Sequence, residues 1–275
     1  MADRIFLVNV GANASHGVRS PLFADGTFEL LPIPEPRKWW APPMSTYAKL
    51  DCFNDPGESV AKYVSARHRG TRVHNDPEFE TFTYGDDCGV NPRAAALKQA
   101  RPGDVLLFVA RLVRYESGRF TKEAGFYFVG YIRIEDMLQD VRKFPFGKAL
   151  VAFGHNAHIR RAIYHQKTAL NGFSVFKGSA AGSKRLQRAV PLTRALAEDL
   201  FRDARGKPWL WEKNGRSDLQ TIGSYTRSVR AVLDAAKRED AERMQRLWDA
   251  LRRSNPEIAV QAPAAASSSL HTLER

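Results

Sequence analysis

The chain has 275 residues, 43% of them hydrophobic and 26% charged. That composition supports a sizeable buried core and excludes a disordered or fibrous chain. Lys and Arg number 42 against 30 Asp and Glu, a formal net charge of +12, which favours a polyanionic partner such as nucleic acid. Cys52 and Cys88 are too few for a disulfide framework or a structural zinc site. No apolar run approaches the ~20 residues of a membrane span. The N-terminus lacks a long apolar core and a cleavage site, so no signal peptide is read there. The expectation is a cytoplasmic protein with no membrane partner.

Residues 4–10 (RIFLVNV) predict a buried first strand. A turn follows at Asp25-Gly26, then a strand that Pro32 and Pro34 end. Residues 57–69 carry apolar or small residues at Val60, Ala61 and Val64 and predict a short helix. Residues 79–85 alternate like a strand. Residues 91–100 predict a helix, with Asn91 as cap and Pro92 at the first position. Two glycine-led apolar runs come next, 104–112 and 125–134, with a charged loop between them. Residues 149–154 and 173–179 read as further strands and 192–201 as a helix. From residue 218 to about 253 the pattern reads as helical in two pieces; Met244, Leu247, Trp248 and Leu251 fall on one face of the second. The expected organisation is an α+β domain over 1–217, a helical region over 218–255 packed on it, and a disordered, low-complexity tail over 256–275. Several short strands with glycine turns suggest a small, partly closed barrel with helices around it.

Charge is unevenly placed. Between Asp140 and Glu198 there is no acid, where the chain's composition would put about six. Arg142, Lys143, Lys148, Arg160, Arg161, Lys167, Lys177, Lys184, Arg185, Arg188 and Arg194 all lie in that stretch. Cations without local acidic partners are poised for phosphates unless distant acids pair with them in the fold. The segment KGSAAGSKR adds backbone N–H groups and the Ser179 hydroxyl, without P-loop spacing. The phosphate-binding expectation therefore falls on Arg160, Arg161, Lys177, Ser179, Lys184 and Arg185.

Three further clusters carry candidate chemistry. In GHNAHIRR, His155 and His158 are three apart and would share a helix face, but no acid stands nearby to complete a metal site. No metal is assigned there, and Asn156 is read as a base or phosphate contact. The loop VNVGANASHGVRSP offers Asn9, Asn13, Ser15, His16 and Arg19 to a base edge or phosphate. It lacks the dinucleotide fingerprint. Trp39 and Trp40 are candidate stacking faces for a base, set against an ordinary role as a core lid. Cys52 and Cys88 both have acids beside them, which raises a thiol's pKa rather than activating it. Asp86, Asp87 and Asp104 could hold Mg²⁺, although no spacing demands it.

Two resemblances add to this reading. RPGDVLLFVARL followed by GFYFVGYIRIED resembles the central strands of PUA-like barrels, the group that includes EVE, YTH and ASCH domains. A wider resemblance runs through IFLVNVGANASHGVRSPLFADGTFELLPIPE, GHNAHIRR, FKGS and AVPLTRALAEDLF. These segments look like the nucleotide modification associated domain family of the third type, which occurs in bacteria and bacteriophages. It implies a setting of DNA modification or modified bases, and carries over no catalytic residue and no cofactor. The leading expectation is a nucleic-acid-associated protein that binds a modified base or nucleotide in a PUA-like pocket. Its partner would be DNA or a nucleotide, with RNA and other base-modification proteins as further candidates. The alternative is an enzyme that modifies a base or nucleotide with His16, His155 or His158 as general acid or base. A third reading is a scaffold subunit of a modification complex.

Overall fold

The structure, a computed structural model, describes residues 3–12, 14–40, 44–145, 147–202, 206–209 and 229–258. Asn13, the start of the expected C-terminal helical region and the tail from residue 259 lie outside them. The described fold is mixed α+β.

Strand β1 (Arg4–Val10) is apolar on both faces, with Ile5, Phe6, Leu7 and Val8 all buried. Such a run belongs inside a sheet covered on both sides. β2 (Ser20–Leu22), β3 (Ile33–Pro34), β4 (Val73–His74) and β5 (Thr83–Asp86) are short. β6 (Val105–Glu116) and β7 (Arg119–Arg133) form one long hairpin. The charged segment expected as a loop is mostly strand. Its turn is only Ser117 and Gly118, both at positive φ (48° and 79°), as a two-residue hairpin turn of the favoured hand requires. β8 (Asp136–Val141), β9 (Phe173–Lys177), β10 (Lys184–Pro191) and β11 (Arg230–Asp234) complete the strands.

The main sheet runs β10-β7-β6-β1-β11. β1 lies parallel to β6 from Ile5↔Val105 to Val10↔Ala110, and β2 resumes the same edge of β6 at Ser20↔Leu112. The chain thus leaves the sheet after Val10 and returns two residues further along β6. β10 and β11 are the outer strands, and no pairing joins them among the described residues. The sheet is open there, and the expected barrel is not found. A three-stranded sheet, β5-β9-β8, and a ribbon of β3 with β4 stand beside it.

Helices α1 (Lys148–Phe153), α2 (Ala157–Tyr164), α3 (Gln166–Ala169), α4 (Arg194–Leu200) and α5 (Arg238–Ser254) fill the rest. α5 buries Met244, Leu247 and Leu251 against the main sheet, and Trp248 sets its ring 5.0 Å from that of Tyr131. α2 buries Ile159 and Ala162 beside Phe153, Phe173 and Val175. No helix among the described residues is long and apolar enough to cross a membrane.

Several local expectations need correction. Residues 149–154 are helix α1, not a strand: Ala and Leu dominate the run, and length alone cannot separate a buried helical turn from a strand. Residues 91–100 form turns and a 3₁₀ segment at Ala95–Gln99 rather than an α-helix. Asn91 still caps locally, accepting from the Arg93 N–H at 3.1 Å. Residues 57–69 likewise give only 3₁₀ turns. Arg230–Asp234, expected in a helix, is a strand that covers the open edge of β1. Pairing a buried sheet edge outweighs the weak helical preference of so short a segment.

Candidate active site

The two small sheets and α2 meet the end of β1 around a cleft of about 390 Å³. Each wall is positioned by a local rule. In the ribbon, Ile33 pairs with His74 and Pro34 with Val73, so Glu35 emerges beside the His74 ring. At α2, Asn156 is the N-cap, and its side-chain oxygen accepts from the His158 N–H at 2.9 Å. His158 and Arg161 then stand three residues apart on one helix face. On β5, Gly85 must be glycine, because a Cβ there would meet His158 Cδ2 at 2.7 Å and Asn156 Oδ1 at 2.9 Å. That close approach lets the Gly85 N–H donate to Asp76 Oδ2 at 2.8 Å.

His74, Asp76 and His158 form the centre. His74 Nε2 lies 3.8 Å from Asp76 Oδ2, and His158 Nε2 lies 3.7 Å from the same oxygen. The two rings meet edge to face at 4.8 Å. Each histidine turns its other nitrogen to a carboxylate: His74 Nδ1 is 3.0 Å from Glu35 Oε2, and His158 Nδ1 is 3.2 Å from Asp87 Oδ1. At His158 a lone pair held that close to Asp87 would be repelled, so Nδ1 carries the proton there; His74 Nδ1 lies between Glu35 Oε2 at 3.0 Å and the Arg161 guanidinium at 3.1 Å, an acceptor and a donor that compete for it. Arg161 closes the outer ring, donating to Glu35 Oε1 at 2.8 Å and Oε2 at 3.1 Å. Asn156 Nδ2 donates weakly to Asp76 Oδ2 at 3.4 Å, while Asp76 Oδ1 is buried with no hydrogen-bond partner.

The electrostatics follow from this layout. Burial pushes the His74 imidazole down to about 4, despite the pull of Glu35. Burial pushes the Asp76 carboxyl up to about 8, although His158 and the Gly85 N–H favour its ionised form. Burial alone would lower His158, but Asp87 and then Asp76 outweigh it and its pKa is raised. At the rim, burial opposes ionisation of Glu35 and Asp87, yet the His74 and Arg161 contacts hold Glu35 below its ordinary value, and His158 and Arg161 do the same for Asp87. Burial raises Asp86. The rim carboxylates are compensated, and the central one is short of positive charge. Perturbed titratable groups gathered in a cleft mark functional sites more often than structural ones.

The residues expected at a site fall in several places. His158, Arg161 and Asn156 belong to this cluster, and Asn9 lines the cleft. His155 precedes the N-cap, is exposed, and contacts Arg160 at 3.3 Å instead of sharing a helix face with His158. His155 and Arg160 line a second cavity of about 560 Å³, which shares Gly11 and Asp76 with the first. Ser15 and His16 sit on a 3₁₀ turn, where burial lowers the His16 pKa. Arg19 lies 6.0 Å over the Phe120 ring. Trp39 packs edge-on to His165 and under Arg161 at 5.1 Å, and Trp40 donates its indole N–H to the Glu35 carbonyl at 2.7 Å. Neither indole is among the residues lining the cleft. Lys177 donates to the Ala152 carbonyl at 2.9 Å, Ser179 to Glu135, and Lys184 lies 3.9 Å from Glu257. Arg185 is buried against Glu29 at 3.3 Å and stacks 3.6 Å from the Phe53 ring centroid. Distant acids thus engage three of the eleven cations of the basic stretch, Arg161, Lys184 and Arg185.

Of the aspartates, Asp86 and Asp87 line the cleft, whereas Asp104 is bound to Arg4 at 2.6 Å. Cys52 and Cys88 are buried and free, and burial first, with Glu29 and Asp86 second, pushes their thiols up to about 11 and about 12. His74, Asp76 and Glu35 were not singled out from the sequence. His74 and Asp76 sit two apart in RVHNDPE, and only the fold brings His158 to them.

Comparison with known proteins gives one match. No curated protein and no solved structure matches the chain. The family model described as Nucleotide modification associated domain 3 matches residues 4–245, and so spans the main sheet, both small sheets and the cleft. On that match the chain belongs to the nucleotide modification associated domain 3 family.

Proposed function

We propose that the cleft is the active site of an enzyme that modifies a nucleotide or a nucleic-acid base. The observation that carries this reading is the convergence of His74 Nε2 and His158 Nε2 on the buried Asp76 carboxylate, in a cleft open to a ligand. A group that only recognises a base needs matched donors and an aromatic face. Here Trp39 and Trp40 lie outside the lining, and the centre is reactive in character. Around it, the Asn9 and Asn91 amides suit a base edge, and Arg93, exposed at the rim and in no ion pair among the described residues, suits a phosphate. The family membership supports nucleotide modification as the setting and is silent on the step.

The test is nucleoside analysis by mass spectrometry. Full-length protein is incubated with duplex DNA, single-stranded DNA or free nucleotides, with divalent metal ions supplied. An altered nucleoside from the wild type, abolished by Asp76→Asn and retained by His155→Ala and His16→Ala, is the expected result. Selective binding with unchanged nucleosides would overturn the enzyme in favour of a base-binding protein. Normal turnover by His158→Gln would remove this cleft as the active site.

A further inference from the structure

We propose that His74, His158 and Asp76 bind one divalent first-row transition metal ion, through Nε2 of each histidine and the Asp76 carboxylate. The inference deepens the reading of the cleft as an active site and rests on it for the ion's role, while metal uptake is measured without any turnover.

Four independent features point to the ion. First, one ligand atom from each of the three residues lies within 4.8 Å of the other two. The measured separations of 3.7 and 3.8 Å are too long for hydrogen bonds. They are close to the ~3.4 Å between ligand atoms of a tetrahedral ion with bonds near 2.1 Å. The groups converge on a common point without satisfying one another there. Second, Asp76 is buried, with 2% side-chain exposure, and its Oδ1 has no partner. The oxygen facing both imidazoles is Oδ2, which accepts from the Gly85 N–H and Asn156, so Oδ1 is the carboxylate oxygen left with capacity for an ion or a water. Third, the Nδ1 of each histidine is held by a carboxylate, Glu35 for His74 and Asp87 for His158. Such a carboxylate–histidine arrangement orients each ring and turns its Nε2 toward Asp76, although at His74 the Arg161 guanidinium, 3.1 Å from the same Nδ1, competes with Glu35 for it. Fourth, the arrangement is braced: Glu35 by Arg161, and the ligand Asp76 by the Gly85 N–H and Asn156.

The donor set selects the ion. Two imidazoles and one carboxylate suit zinc, iron(II), cobalt or manganese, whereas magnesium and calcium prefer oxygen donors. Three protein ligands leave coordination positions open. All three residues line the cleft, so an oxygen or nitrogen atom of a substrate held there can reach the ion. A proton shared by Asp76 and the histidines is the competing occupant, and it is the outcome that a metal titration excludes or establishes.

The experiment uses full-length protein stripped with a chelator and titrated separately with Zn²⁺, Co²⁺, Mn²⁺ and anaerobic Fe²⁺. Stoichiometry is read by elemental analysis, affinity by calorimetry, and ligand type by the visible absorption of the Co²⁺ form. One ion per chain is expected, with Co²⁺ bands that vanish in Asp76→Asn and in His74→Gln. Because those substitutions act on buried groups, Asp87→Asn is the companion variant. Asp87 lies at the partly exposed rim, and its loss should weaken binding about 10–100-fold with the circular dichroism spectrum unchanged. His155→Ala should bind as the wild type does. No uptake at micromolar metal, or equal uptake by Asp76→Asn with native circular dichroism, would overturn the site. The two readings separate cleanly: turnover by metal-free protein would overturn the ion and spare the enzyme, whereas uptake with every nucleoside unchanged would support the ion and overturn the enzyme.

Discussion

Arg161→Met should destabilise the protein by about 3 kcal/mol, the low end of the cost of breaking a buried ion pair. Glu35 has no exposed side-chain surface, and Arg161 supplies it with two hydrogen bonds, at 2.8 and 3.1 Å. Removing the guanidinium leaves a buried carboxylate whose remaining donor is His74 Nδ1 at 3.0 Å. That surviving contact is why the low end applies. Methionine keeps an unbranched apolar chain but also removes the guanidinium's contact over the Trp39 ring, 5.1 Å from its centroid, so the coupling to Glu35 isolates the ion pair. For a chain of this size each kcal/mol moves Tm by about 2–4 °C, giving a fall of about 6–12 °C. Urea unfolding followed by circular dichroism and by fluorescence measures the change. The double variant Glu35→Gln/Arg161→Met should lose less than the two single variants summed, with a coupling of about 1–3 kcal/mol. A loss below about 1 kcal/mol in Arg161→Met, with no coupling, would refute the view that Arg161 compensates the Glu35 charge.

The remaining predictions concern the hairpin and the thiols. Gly118→Val should cost about 1–2 kcal/mol, because a β-branched residue is forced to a φ of 79°; an unchanged unfolding midpoint would show that the β6–β7 turn is not built as described. Burial raises both thiol pKa values, so Cys52 and Cys88 stay protonated at pH 8. A thiol-reactive disulfide should therefore label native protein slowly and label both cysteines at once in denaturant, whereas rapid native labelling would contradict their burial.

Parts of the fold were legible because their cause is local. The strand at residues 4–10 and the β6–β7 pair are continuous apolar runs, and no other environment suits them. The α5 stripe of Met244, Leu247 and Leu251 is likewise a periodic signal. Residues 149–154 were misread because six apolar and small residues fit either period, and Arg230–Asp234 because its pairing with the edge of β1 outweighs a weak local preference. The site was half legible. GHNAHIRR identified His158, Arg161 and Asn156, but its apparent partner, His155, faces elsewhere. His74 and Asp76, which stand against His158, are brought in by the Ile33↔His74 ribbon and the glycine at residue 85. No spacing within the sequence announces a cluster drawn from two remote segments.

The same distinction governs the charge. The acid-free stretch suggested a phosphate-binding face, because nearby acids are absent in sequence. In the fold, Glu35 reaches Arg161, Glu29 reaches Arg185 and Glu257 reaches Lys184. Two of these three pairs have both partners largely withdrawn from solvent. They cannot release counterions to a polyanion without first exposing a carboxylate. Arg161 and Arg185 are thus engaged inside the fold. Arg161 in particular is bound to the architecture of the cleft: it holds Glu35, Glu35 contacts His74, and His74 faces Asp76. The cleft's charge is organised inward, around the point where the two imidazoles and the Asp76 carboxylate meet.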